Sequence, residues 1–295
     1  MKTRRSLRYC ALLLFAVLLV SFSACRQAPE AKTDRPHIAS GVEMRDVSFF
    51  SASLSRQMNY RVFLPVAVEP GRKLPVVYLL NGAWSDFRDW SNSSNVSEYA
   101  RRDVILVMPQ GDLSYYMNAS GSPKDKYEDY VTKDLIADVE SRFPAKTDRT
   151  NRAIVGVSMG GFAAIDYALV HPDLYAFAGA LSPSIDMPRR RFTMRRVDQW
   201  LRIRRIFGPF GSRERLSRDP FEVVRTVDPK SAPFIYLTVG ANEPLYEPNR
   251  RFSTYLRQGG FAFAFRTKPG SHDWGQWNTQ LGHCFASLFA HLSTS

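Results

Sequence analysis

Along the chain, short uninterrupted apolar runs alternate with stretches in which apolar residues recur every three or four positions. The runs "LPVVYLLNG" (74–82), "RRDVILVMP" (101–109), "NRAIVGVS" (151–158), "YAFAGALS" (175–182), "APFIYLTVG" (232–240) and "FAFAFRTKPG" (261–270) are of strand length, and most end in turn residues. Between them, "KYEDYVTKDLIADVESRF" (126–143), "GGFAAIDYALVHP" (160–172), "EPNRRFSTYLRQ" (247–258) and a closing segment from about Trp274 predict helices. Ahead of these, "MRDVSFFSAS" and "RQMNYRVFLP" predict a β-hairpin. Apolar strands separated by helices predict an α/β fold, a mostly parallel central sheet covered by helices on both faces. In such sheets the active groups gather at the carboxyl ends of the strands.

The first 25 residues break this rhythm. "MKTRRSLRYCALLLFAVLLVSFSAC" has a basic start, an apolar core from Ala11 to Val20 and small residues before Cys25, the pattern of an export signal. Ser23-Ala24-Cys25 resembles a bacterial lipobox in which Cys25 is lipidated, although Phe22 stands where Leu is preferred. A plain signal peptide cut near Ala24 and a twin-arginine route through "TRRSLR" are the alternatives. The expected location is therefore outside the cytoplasm of a bacterium, anchored in a membrane facing the periplasm or cell exterior, or secreted. Of three cysteines, Cys10 lies in the signal and Cys25 at its end, leaving Cys284 alone in the folded part as a buried small apolar residue.

Charge adds one feature. Of the formal net charge of +12, four cations belong to the signal, and eight arginines crowd between Arg189 and Arg205 in "PRRRFTMRRVDQWLRIRRIF". Val197, Trp200, Leu201, Ile203, Ile206 and Phe207 recur there at helical spacing. The segment reads first as a helix with a solvated basic face, and alternatively as a contact for anionic headgroups or an acidic substrate. Nucleic acid is disfavoured by the export signal and by the lack of a recognition motif.

The chemistry-bearing residues fall at predicted strand ends. Ser158 follows its strand within Gly156-Val157-Ser158-Met159-Gly160, a G-x-S-x-G elbow with Gly161 opening the helix behind. The Met159 N–H at that helix start is placed to meet an oxyanion. A serine hydroxyl needs a base. Of five histidines, His272 lies in the "GSHDW" loop after a strand, and His283, inside the last helix, is the fallback. His171 reads as a helix cap, while His37 and His291 stand near the ends. The acid should fall between Ser and His in chain order. Glu243 is three residues past Gly240, whereas Glu247 falls in the next helix's first turn, where the helix dipole explains it. The candidate triad is Ser158, Glu243 and His272.

Six blocks, "LPVVYLLNGAWSDFRDW", "VILVMPQGD", "YEDYVTKDLIADVESRF", "NRAIVGVSMGGFAAIDYALVHPDLYA", "VGANEPLYEPNRRF" and "GSHDWGQW", resemble, in order, the putative-esterase family of α/β hydrolases. That family includes S-formylglutathione hydrolases (esterase D), feruloyl, acetyl-xylan and tributyrin esterases, and mycolyltransferases. The resemblance, from about residue 45 to 290, implies an α/β-hydrolase fold with nucleophile Ser158 and base His272. The turn at Ala83 would supply the second oxyanion N–H. Many members have an aspartate where Glu243 stands, though mycolyltransferases use glutamate, and many have His-Gly where this chain has Asn81-Gly82. Asn81, Trp84 and Trp274 are substrate-pocket candidates, while Trp90 and Trp277 read equally well as core.

The expected organisation is a signal peptide of lipoprotein type over 1–25, a linker over 26–40, and an esterase domain over 41–295 with an Arg-rich cap insertion at about 185–225. The expected function is a serine carboxylesterase acting on a small-molecule, carbohydrate or lipid ester, with no cofactor and no metal. An acyltransferase passing the acyl group to a sugar or lipid alcohol, and a binding protein on a hydrolase scaffold, are the alternatives.

Overall fold

The computed structural model describes residues 33–292, so the predicted leader with Cys10 and Cys25 lies outside them. Two ten-residue strands, β1 (Val42–Ser51) and β2 (Arg56–Pro65), form the predicted antiparallel hairpin. The chain is attached to this body ahead of residue 41. His37 N–H donates to Ser91 O at 2.8 Å, and the Ser97 hydroxyl donates to His37 O while accepting from Ala39 N–H.

Next come β3 (Val76–Leu80), β4 (Ile105–Pro109), β5 (Arg152–Val157) and β6 (Phe177–Leu181), buried along their whole length. That burial on both faces is why they show no polar alternation. β7 (Phe234–Gly240) and β8 (Phe263–Lys268) complete an eight-stranded sheet in the order β1-β2-β4-β3-β5-β6-β7-β8. β2 runs antiparallel to both neighbours and every other pair is parallel. The carboxyl ends of β3, β5, β6, β7 and β8 thus share one edge. At the outer edge, the second half of β8, Arg266, Thr267 and Lys268, is exposed and polar, which discourages pairing with another sheet.

Helices cover both faces. α1 comprises Tyr127–Asp129 and Ile136–Arg142 joined by a π-helical stretch, Tyr130–Leu135, where the sequence predicts regular helix. There the Thr132 hydroxyl donates to Glu128 O at 2.7 Å, a side-chain bond that competes with the regular ladder. α2 (Met159–Val170) is buried nearly all round, between the sheet and the insertion. Its Phe162 meets Tyr115 and Phe207 edge-on, and complete burial of such a ring contributes about 1.5–3 kcal/mol. On the other face, Trp90, Trp277, Phe285 and Cys284 form a second apolar layer.

The predicted insertion is a helical cap between β6 and β7. It holds α3 (Val197–Phe207), the short helices Arg213–Leu216 and Pro220–Val223, and 3-10 turns at Met187–Arg189 and Met194–Arg196. Several of its arginines are internal fasteners. Arg215 is buried and donates to Pro188 O and Arg190 O, both at 2.6 Å. Arg218 reaches Glu128 of α1 at 2.6 Å and Asp166 of α2 at 3.0 Å. α4 (Tyr246–Gln258) packs beside the cap's Pro220–Val223 helix, and α5 (Trp274–Phe289) covers the opposite face of the sheet.

Candidate active site

The turn from β5 into α2 forces Ser158 to φ 55°, ψ −110°, a left-handed conformation a serine adopts only under constraint. The constraint is visible. Ser158 N–H donates to Leu181 O at 2.9 Å, and Ser158 O accepts from Phe162 N–H and Ser184 N–H. A Cβ on Gly156 would lie 2.2 Å from the Gly160 carbonyl, and one on Gly160 would lie 2.3 Å from Leu80 O. Both glycines are therefore required for the turn to nest against β3.

Three strand ends converge on this serine. His272 Nε2 is 2.8 Å from Ser158 Oγ, and His272 Nδ1 is 2.7 Å from Glu243 Oε2. An ionised carboxylate cannot donate, so Nδ1 carries the proton and Nε2 is left to accept from the serine hydroxyl. The Glu243 carboxylate is fully buried, and its other oxygen accepts from Gly240 N–H at 2.7 Å and from the Ser182 hydroxyl at 2.6 Å. These two donors stabilise a buried negative charge. Glu247 is elsewhere, exposed on α4 and paired with Arg250, whose hydrogen bond holds its carboxyl below the usual range.

The His272 loop is held from several sides. Asp273 caps α5 by accepting from Gln276 N–H at 3.0 Å, and a Cβ on Gly270 would lie 2.0 Å from the Gln276 side-chain oxygen. Trp277 meets the imidazole edge-on at 5.2 Å and donates its indole N–H to Ser182 Oγ at 3.1 Å. Ser182 is a residue that sequence reasoning missed. It follows β6 at φ 48° and its N–H donates to Thr238 O, a second tight turn beside the first. Its signal was available, a serine directly after an apolar strand, but without G-x-S-x-G chemistry to mark it.

The turn after β3 passes against Ser158, with a Cβ on Gly82 falling 3.6 Å from the serine Cβ. The next residue is Ala83. Met159 is the first residue of α2, so its N–H has no partner one turn back and points out of the helix start. Asn81, expected in the substrate pocket, is wholly buried beneath the turn. Its side-chain amide donates to Gly82 O at 2.8 Å and its carbonyl accepts from the Tyr116 hydroxyl at 2.7 Å. Its N–H and its side chain are engaged in shaping the turn, which corrects the expectation that it contacts substrate. Burial also pushes the Tyr116 hydroxyl well above the usual phenol range, so it remains a neutral donor.

Trp84 is 69% exposed, at φ 65°, with the Arg202 guanidinium of α3 4.8 Å over its ring. Trp274 packs edge-on between Trp90 and Trp277 and donates to Asp89 Oδ2 at 3.2 Å. Trp90 and Trp277 are buried. Of the other histidines, His171 caps α2 and bonds Glu128 Oε1 at 2.7 Å, His283 is exposed on α5, and His291 stacks on Phe234. Among the described residues no group of three or more His, Cys, Asp or Glu is arranged to hold a metal ion.

A serine on a strained strand-to-helix turn, with a histidine and a carboxylate from later strand ends of a mostly parallel sheet, defines the α/β-hydrolase class. Within it, the chain belongs to the esterase family described as "putative esterase", which it matches over residues 51–288. It is 25% identical over 255 residues, 81% of this chain and 95% of the relative, to an acetyl esterase of Caldicellulosiruptor saccharolyticus. Its structure resembles the fluorophosphonate-binding serine hydrolase F of Staphylococcus aureus with a TM-score of 0.73, at 22% identity, covering 84% of this chain and 98% of that one. It also resembles a ferulic acid esterase with a TM-score of 0.70, at 25% identity, covering 82% and 96%. The chain is thus a hydrolase of the esterase family.

Proposed function

We propose that the chain is an exported serine carboxylesterase. The observation that carries this reading is the unbroken hydrogen-bond relay from Ser158 through His272 to buried Glu243. The Ser158 hydroxyl attacks the ester carbonyl as His272 Nε2 takes its proton. Glu243 holds the imidazole in the Nδ1–H tautomer and stabilises the imidazolium. The Met159 and Ala83 N–H groups receive the oxyanion of the tetrahedral intermediate. His272 then returns the proton to the departing alcohol, leaving an acyl group on Ser158, and a water activated by His272 releases the acid. Small esters of acetyl or feruloyl type are the first substrates to test, in keeping with the relatives' names.

Turnover of p-nitrophenyl esters from acetate to palmitate tests the reading. Activity should depend on acyl length, and Ser158→Ala should lose on the order of 10⁴-fold or more in kcat with folding intact. Residual activity near wild type in that variant would refute it. Adding a sugar or lipid alcohol separates hydrolysis from acyl transfer by product ratio.

The export signal supports a further part of the proposal, anchoring at a membrane through a lipid on Cys25. Cys25→Ala should move the protein from the membrane fraction to the soluble one; an unchanged distribution would remove the anchor.

A further inference from the structure

The cap presents a surface that the ester chemistry leaves unexplained. Ten large apolar side chains are exposed among the described residues; six of them fall between Phe192 and Leu216, and a seventh is Trp84, under Arg202. This is a concentration, because scattered exposed apolar residues are ordinary and clustered ones are not. Residues 191–198 are exposed without a break, with Met194 at 80%. α3 is the reason. Its inner face buries Ile203, Ile206 and Phe207 against the body, while Val197 and Leu201, one turn apart, point outward at 40% and 54% exposure.

Interleaved with these side chains is unneutralised positive charge. Of the eight arginines between 189 and 205, Arg189, Arg190 and Arg205 have carboxylate partners. Arg191, Arg195, Arg196, Arg202 and Arg204 have none among the described residues, and Asp198 is the sole acid from 187 to 213.

We infer that this outer face of the cap docks on an anionic phospholipid surface. Guanidinium groups match phosphate geometry and gain from a negative headgroup layer, and the neighbouring aliphatic and aromatic tips enter the acyl boundary. The two features select the partner together. An anionic polymer would neutralise the arginines but give Met194 and Leu201 nothing to contact. A protein interface, though it also favours Arg, Met and aromatic residues, needs a charge-depleted core, whereas here Arg195 and Arg196 stand between Met194 and Val197. Because Arg202, on the inner flank of the same helix, lies over Trp84 next to Ala83, a docked cap would hold the Ser158 turn close to the lipid surface. The inference concerns a face separate from the predicted Cys25 anchor and does not rest on the esterase reading.

The test uses the full chain with vesicles of phosphatidylglycerol and acyl-brominated phosphatidylcholine, read by tryptophan quenching. No tryptophan precedes Trp84, so an N-terminal anchor alone gives no quenching of its own, whereas Trp84 and Trp200 lie at the proposed contact. Quenching should appear with anionic vesicles and weaken at 0.5 M salt. Its half-saturating lipid concentration should rise about tenfold or more in Arg195→Glu/Arg196→Glu and in Met194→Asp/Leu201→Asp. Thermal unfolding and turnover of a soluble ester should stay unchanged in both variants. Equal quenching on vesicles lacking phosphatidylglycerol, or quenching untouched by both double substitutions, would overturn the inference. So would tight binding to dextran sulfate without vesicle quenching, which would assign the face to an anionic polymer.

Discussion

Ser158 holds a left-handed backbone conformation that costs a non-glycine residue about 1–3 kcal/mol, and the three hydrogen bonds made by its own backbone N–H and C=O maintain it. Glu243 is likewise held by two donors besides His272, one of them the Ser182 hydroxyl. These contacts order the expected effects in one kinetic series. Glu243→Gln should lower kcat by roughly 10³- to 10⁴-fold through loss of the imidazole tautomer. Ser182→Ala, which removes one bond to a buried charge, should lower it by about tenfold. Glu247→Gln should leave it unchanged, since that side chain sits on the surface with Arg250. If the Glu247 variant were the inactive one, the assignment of the acid would fail. The elbow and the histidine loop were legible because they carry compositional marks, glycines around a serine and a lone histidine after a strand. Tyr116 carries none and Ser182 only its place after an apolar strand, since each acts through a bond to a residue distant in sequence. Asn81 was misplaced because a polar residue at a strand end reads alike whether it faces substrate or props the turn from below.

At the scale of elements, fully buried strands were legible from unbroken apolar runs, and the hairpin from its turn. The π-helical stretch in α1 was not, because it depends on Thr132 and on Glu128 being drawn inward to His171 and Arg218. That junction of α1, α2 and the cap makes a pH prediction. Burial pushes the Asp166 carboxyl up from 3.8 to about 6, opposed in part by Arg218. A carboxyl raised in the folded state favours the protonated form, so the stability it lends is complete below about pH 4 and is lost as pH rises through about 6. A displacement of that size is worth on the order of 3 kcal/mol. Asp166→Asn does not titrate, so its Tm relative to wild type should climb between about pH 4 and pH 6.5 and level off above. A difference in Tm independent of pH would show that the Asp166 carboxyl is not raised by folding.

At the scale of the whole molecule, the parallel sheet delivers β5, β6, β7 and β8 to one edge, where residues up to 114 positions apart in sequence meet at hydrogen-bond distance. The Arg-rich segment was legible as a helix, but its division of labour was not. Arg215 and Arg218 fasten the cap from within, while Arg195 and Arg196 face solvent, a difference set by which carbonyls and carboxylates the fold brings near. The central claim is that this convergence makes Ser158 a nucleophile. The most direct measurement is labelling with a fluorophosphonate followed by peptide mass spectrometry. One adduct per chain on Ser158, absent from Ser158→Ala and strongly slowed in His272→Ala, is the expected result. No adduct on the folded protein, or an adduct on another serine that persists in Ser158→Ala, would contradict it.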